Sequence, residues 1–145
     1  MTRIRESLQL ALPFLWLGMV LAISFIEAPL KFRAPGITLP LGLGIGRLVF
    51  RGLNIAEIAL LAALTITVLG SAIGPARWSA LGGLWLILLT QAVVLRPLLD
   101  RRAQLIIDGH QPPPSVLHLG YIGLEVLKVA ILVLLGASLI ARLTR

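Results

Sequence analysis

Residues 121–141 read YIGLEVLKVAILVLLGASLIA. Glu125 and Lys128 are the only charges in this run. Without them the uncharged stretch shrinks to residues 129–141, which is 13 residues. About 20 are needed to cross the hydrocarbon core of a bilayer. Either a helix carries two charges into the membrane or this segment does not cross. The uniform apolarity of the remainder favours crossing, with a span over roughly 116–141 opened by Ser115 as its N-cap. Glu125 and Lys128 stand at i,i+3 on one helix face, where they can pair. Pairing offsets an insertion cost of about 2.5–3.5 kcal/mol for each isolated charge.

Working outward, three further spans rest on length alone. Residues 7–26 contain no charge and predict a first span over roughly 8–28. The apolar run after MTRIR is too long for a signal-peptide core of ~7–15 residues, so it reads as an uncleaved helix. Residues 58–76 and 78–95 are also uncharged and predict spans over roughly 53–73 and 78–98, with an earlier helix start near Arg47, partly in the interface, as the alternative for the second. The APGITLPLGLGIG stretch, residues 34–46, reads as a re-entrant or surface-lying connector. Gly74-Pro75 reads as the stop of the second span. LLDRRAQLIID, residues 98–108, is amphipathic and should extend the third helix out of the membrane as far as Gly109. The expected fold is an all-α integral membrane four-helix bundle in one transmembrane domain, with both termini on the same side.

Composition agrees with these spans. Of the 145 residues, 58% are hydrophobic and 13% charged, and the mean hydropathy is +0.99. Ordinary soluble domains hold roughly 45–50% and about 25%. The net charge of +7 points first to nucleic acid. However, the arginines sit at the edges of apolar spans, where they anchor a helix beside anionic lipid. The lipid bilayer is therefore the expected partner, and nucleic acid is not. Small residues at four-residue steps in the second span (Ala59, Ala63, Thr67, Ser71) favour close helix contact, inside the bundle or in a homo-oligomer or larger membrane complex. There is no cysteine, which removes disulfides, thiolate metal sites and a cysteine nucleophile.

The polar residues fall unevenly by depth. With four spans, the loops after spans one and three share one side, and the termini share the other. Glu27 ends span one, Asn54 and Glu57 begin span two, and Gln91 and Arg96 end span three. His118, Tyr121, Glu125 and Lys128 begin span four at steps of 3, 4 and 3, on one face. All belong to the half facing those two loops, and the other half is nearly all aliphatic. The expectation is a one-sided polar pocket over an apolar plug. Its candidate inner residues are Glu57, Gln91, Arg96, Tyr121, Glu125 and Lys128, and its rim is Glu27, Asn54 and His118. A second ion pair, Glu57 with Arg96, would make the inner set neutral. Cations number seven on the pocket side and five on the other, Arg145 included, which leaves orientation open under the positive-inside rule.

Two function classes follow. Intramembrane ionisable groups are functional candidates by default, which gives a protein handling a small solute or ion, with transport as the sharpest form. Alternatively, it is a non-catalytic membrane subunit or scaffold whose charges pin the helices in register. A membrane-embedded enzyme is the third and weakest reading, with no catalytic set to assign. His110 and His118 are too few for a haem or metal site, Met1 and Met19 make no copper path, and no cofactor or metal is called for. GLGIG, residues 42–46, lacks phosphate-loop context, so its glycines read as letting the chain bend or approach a neighbouring helix.

FLWLGMVLAISFIEAPLKF (residues 14–32), followed by GLGIGRLVFRGLN (42–54), resembles the first half of small four-span bacterial proteins similar to the copper-resistance-D-like membrane families. There a first helix ends near a proline and an aromatic-basic exit, and an arginine and phenylalanine introduce the second. Here these are Pro29, Phe32, Arg47 and Phe50. YIGLEVLKVAILVLLG is similar in style to their last helix. The resemblance implies a multi-pass protein of the bacterial cytoplasmic membrane. The scarcity of His and Met departs from a copper-handling pattern, so copper is not implied.

Overall fold

Four apolar stretches become four helices: α1 (Arg3–Arg33), α2 (Leu39–Val68), α3 (Pro75–Ile107) and α4 (Leu117–Ala141). A computed structural model describes residues 2–71 and 73–143, so Met1 and Arg145, both weighed above, lie outside the described residues. Each helix is long and apolar enough to cross a membrane. The chain is an all-α four-helix membrane bundle, with α1 packed on α2 and α4, and α3 closing the ring against α2 and α4. Trp16, Leu61, Leu84 and Leu132, one from each helix, are wholly buried at its centre. In lipid such packing is held by close van der Waals contact rather than by water release.

α1 and α2 overrun the expected spans, whereas α4 keeps within its own. At 1.5 Å per residue, the 30 residues of α2 cover about 45 Å. The hydrocarbon core is about 30 Å thick. The excess lies on the pocket side, where residues 39–46 form the first two turns of α2 instead of a surface connector. Thr38 caps that helix, its Oγ1 accepting from the Leu41 N–H at 3.4 Å, and Pro40 sits in the first turn, where a missing N–H costs nothing. Two of the glycines explain why helix is tolerated here. A Cβ on Gly42 would overlap the Phe32 ring, and one on Gly46 would press on Lys31 Nζ at 3.1 Å. The end of α1 therefore lies against α2 along a glycine groove. At its far end α2 stops at Val68, short of the expected 73. Gly70 takes the left-handed turn at φ 73°, and Pro75 opens α3 rather than closing α2.

Two wide turns interrupt α1 and α3. Over Leu21–Glu27 and Thr90–Leu95 the hydrogen bonds run i→i−5, as from the Ala28 N–H to Ile23 and from the Arg96 N–H to Gln91. Each π-helical stretch is followed, after one further residue, by a proline, Pro29 or Pro97. Proline lacks the N–H that would bond four residues back, and its ring crowds that carbonyl. Widening the turn relieves the crowding. Ser24, in the first interruption, lines the pocket, and Gln91, in the second, is fully buried behind it. Beyond α3, Gly109 reverses the chain at φ 84°, the Pro112–Pro114 stretch is non-helical, and Ser115 Oγ accepts from the Leu117 N–H at 3.2 Å.

Candidate functional site

One residue set ties all four helices together. Lys128 of α4 is fully buried and donates to Glu57 of α2 at 2.5 Å and to Glu125 at 3.0 Å. Trp16 of α1 donates its indole N–H to the same Glu57 oxygen at 2.9 Å. Gln91 of α3 donates its amide to Glu125 at 2.9 Å. The expected Glu125–Lys128 pair is formed, and Lys128 also reaches Glu57. Two carboxylates and one ammonium sum to −1 when all are ionised, and to zero when one carboxyl holds a proton. Among the described residues, Glu57 Oε2, Glu125 Oε2 and Gln91 Oε1 are buried without a hydrogen-bond partner.

Above this network lies a cavity of about 610 Å³, within the roughly 300–1,000 Å³ common for small-molecule sites. Its inner end is Glu125 with Tyr121 and Ser24, and its walls are largely apolar, including Phe25, Phe32, Phe50, Leu99 and Ile122. Ser24 and Glu125 both line this space, and each has a buried oxygen without a partner, Ser24 Oγ and Glu125 Oε2. The wall also carries Lys31, Arg47, Arg96 and Arg102. Phe50 organises two of these cations, with Lys31 Nζ 5.6 Å and the Arg96 guanidinium 5.5 Å from its ring centre. Tyr121 meets the same ring edge-on at 5.9 Å.

The predicted Glu57–Arg96 pair is not formed. Arg96 contacts Asp100 at 3.2 Å and the Arg47 carbonyl at 3.2 Å. The reason is depth and sequence. Arg96 stands five residues beyond Gln91, one π turn further toward the pocket mouth. Asp100 follows it at i,i+4, while Glu57 is already taken by Lys128 and Trp16. The inner set is therefore not the neutral quartet expected. Of the other candidates, Tyr121, Glu125 and His118 border the cavity, whereas Glu57, Gln91 and Lys128 lie behind Glu125. Buried Asn54 accepts from the Tyr121 hydroxyl at 3.5 Å, and Glu27 pairs with Lys31 at 3.3 Å.

Sequence reasoning missed Trp16, Lys31, Arg47 and Asp100. A signal for Trp16 was present. Gln9, Pro13, Trp16 and Val20 recur at steps of 4, 3 and 4, and all four are buried, so they mark the inner face of α1. The opposite half is also less purely aliphatic than expected. Gln9 donates to the Thr67 carbonyl at 2.5 Å and to Ser71 at 3.3 Å, Arg5 donates to the Thr67 and Leu69 carbonyls, and Arg77 donates to the Ser138 carbonyl at 3.0 Å. These contacts satisfy or pin the ends of helices, where backbone groups lack intrahelical partners. The apolar layer itself lies between them and the network, built by Leu64, Leu84, Leu88 and Leu135. No family model, curated protein or solved structure matches the chain.

Proposed function

We propose that this multi-pass membrane protein handles a small solute in its one-sided cavity, within a bacterial cytoplasmic membrane. The bacterial assignment rests on the resemblance of the α1 exit and the start of α2. The observation that carries the solute reading is that the cavity ends on Glu125. Of its two carboxylate oxygens, one is held by Lys128 and Gln91 and the other is buried without a partner. A solute entering from the mouth therefore meets a charge wired to every helix, and a change at Glu125 is felt at Glu57 through the shared ammonium. The apolar layer below keeps water from running through.

A second reading is favoured by one specific feature. Lys128 pairs with one oxygen of each carboxylate, and the network crosses all four helices, as a structural lock in a scaffold or membrane subunit would. Proteoliposomes of the full chain separate the two. Glu125→Gln, which keeps the shape of the side chain, should cut uptake of the transported member of a small-solute panel by about tenfold, roughly 1.4 kcal/mol, with little change in yield or in the unfolding midpoint. Wild-type protein inert to the whole panel, together with loss of folded protein in Glu57→Gln, Glu125→Gln and Lys128→Met alike, would establish the lock.

A further inference from the structure

Resting on the solute reading of the same cavity, we infer that its ligand is an amphiphilic organic anion: an apolar body with a carboxylate or phosphate head seated on Arg96, Arg47 and Lys31. The basis is a charge imbalance in an apolar setting. Four cations border the cavity, Lys31, Arg47, Arg96 and Arg102, and two carboxylates stand among them. Glu27 answers Lys31 at 3.3 Å. Asp100 is shared, at 3.2 Å from Arg96 and 3.8 Å from Arg47. Arg102 reaches the Pro112 carbonyl at 3.5 Å, with no carboxylate within 4.0 Å among the described residues. Four positive charges against Glu27 and Asp100 leave a surplus of two around the mouth, and the ionised Glu57–Glu125–Lys128 set at the inner end lowers the total to one. Guanidinium groups pair with carboxylate and phosphate oxygens through two parallel hydrogen bonds, and low-dielectric walls strengthen that attraction.

The shelf is also held in place before any ligand arrives. Phe50 is flanked by Lys31 and Arg96, the Arg96 guanidinium is tied to the Arg47 carbonyl, and the glycine groove of α2 brings Lys31 over Gly46. Such preorganisation reduces the ordering cost of binding. Asp100 occupies the place an incoming anionic head would take between the two guanidinium groups. The remaining wall, with Phe25, Phe32, Leu99 and Ile122, suits an apolar body. A cationic ligand would face the surplus of like charge, and a neutral one would leave the shelf unused.

The test uses the purified full-length protein, a diazirine-bearing hexadecanoate as photoprobe, and peptide mapping of the adduct. Labelling should fall on the cavity wall. Dodecyl phosphate should compete about tenfold better than dodecanol or dodecyltrimethylammonium, roughly 1.4 kcal/mol. Arg96→Gln and Arg102→Gln should weaken labelling, and Asp100→Asn should strengthen it by freeing two guanidinium groups, an effect that damage to the fold would not produce. Ala103→Trp, which fills the cavity, should abolish it. Repeating the assay in phosphatidylcholine and phosphatidylglycerol nanodiscs distinguishes the source of the anion. Displacement of the probe by phosphatidylglycerol assigns the site to a bilayer lipid headgroup, and persistence assigns it to a free amphiphile. Equal competition by all three head groups, with Asp100→Asn weaker or unchanged, overturns the anion inference. If Ala103→Trp still blocks labelling in that case, the cavity reading survives. Labelling outside the cavity and indifferent to Ala103→Trp overturns both.

Discussion

Lys128→Met should unfold the protein at markedly milder conditions than the wild type, by about 3–5 kcal/mol, the usual cost of removing one partner from a buried ion pair. Methionine is the easier side chain to place in a bilayer, so insertion alone predicts the opposite sign. What decides is the environment left behind. Glu57 and Glu125 are 0% and 2% exposed, and both direct an oxygen at the Lys128 ammonium. Without it two acids share one apolar interior, with only Trp16 and Gln91 as donors. The triple variant Glu57→Gln, Glu125→Gln, Lys128→Met removes every charge and should recover most of the loss, because a neutral polar set has no uncompensated charge to bury. Thermal unfolding in detergent, with each variant checked for membrane insertion, measures this. A single variant as stable as the wild type would mean that the ammonium does not neutralise this site.

Trp16→Ala should be comparably damaging, about 3–5 kcal/mol, and for a different reason. Its side chain is fully buried where α1 meets the core, so truncation opens a cavity against Leu61, Leu84 and Leu132. Trp16→Phe separates that packing from the hydrogen bond to Glu57. Interhelical hydrogen bonds in membranes average about 0.6 kcal/mol and reach about 1.7. Because Glu57 keeps Lys128, the phenylalanine variant should lose only that smaller amount, plus the difference in ring size. Chemical unfolding of both variants in one detergent provides the comparison. A phenylalanine variant as unstable as the alanine one would place the indole N–H, not the ring, at the centre of the bundle.

The glycine run at residues 42–46 shows where local reading falls short. Proline and glycine spell a connector by propensity, since each glycine costs a helix about 1 kcal/mol. In the structure it is helix, and the Phe32 ring and Lys31 head occupy the space that side chains at Gly42 and Gly46 would need. What local propensity lacks is this contact with the end of the preceding helix. The same holds for Arg96. Depth along a helix predicted that it lies on the pocket side, but its partner depended on which carboxylate was already engaged.

By itself the sequence determined that four helices cross a membrane, because apolar length is a one-dimensional property and lipid admits few other structures. It also determined that Glu125 and Lys128 pair, because residues three apart on a helix are neighbours. The tertiary structure alone decided what surrounds them. That Glu57 joins the pair, that Trp16 and Gln91 complete a contact with every helix, and that Arg96 turns to Asp100 at the mouth all depend on the rotation of each helix about its own axis. Hydropathy barely encodes that rotation in lipid, where the outward face is as apolar as the inward one.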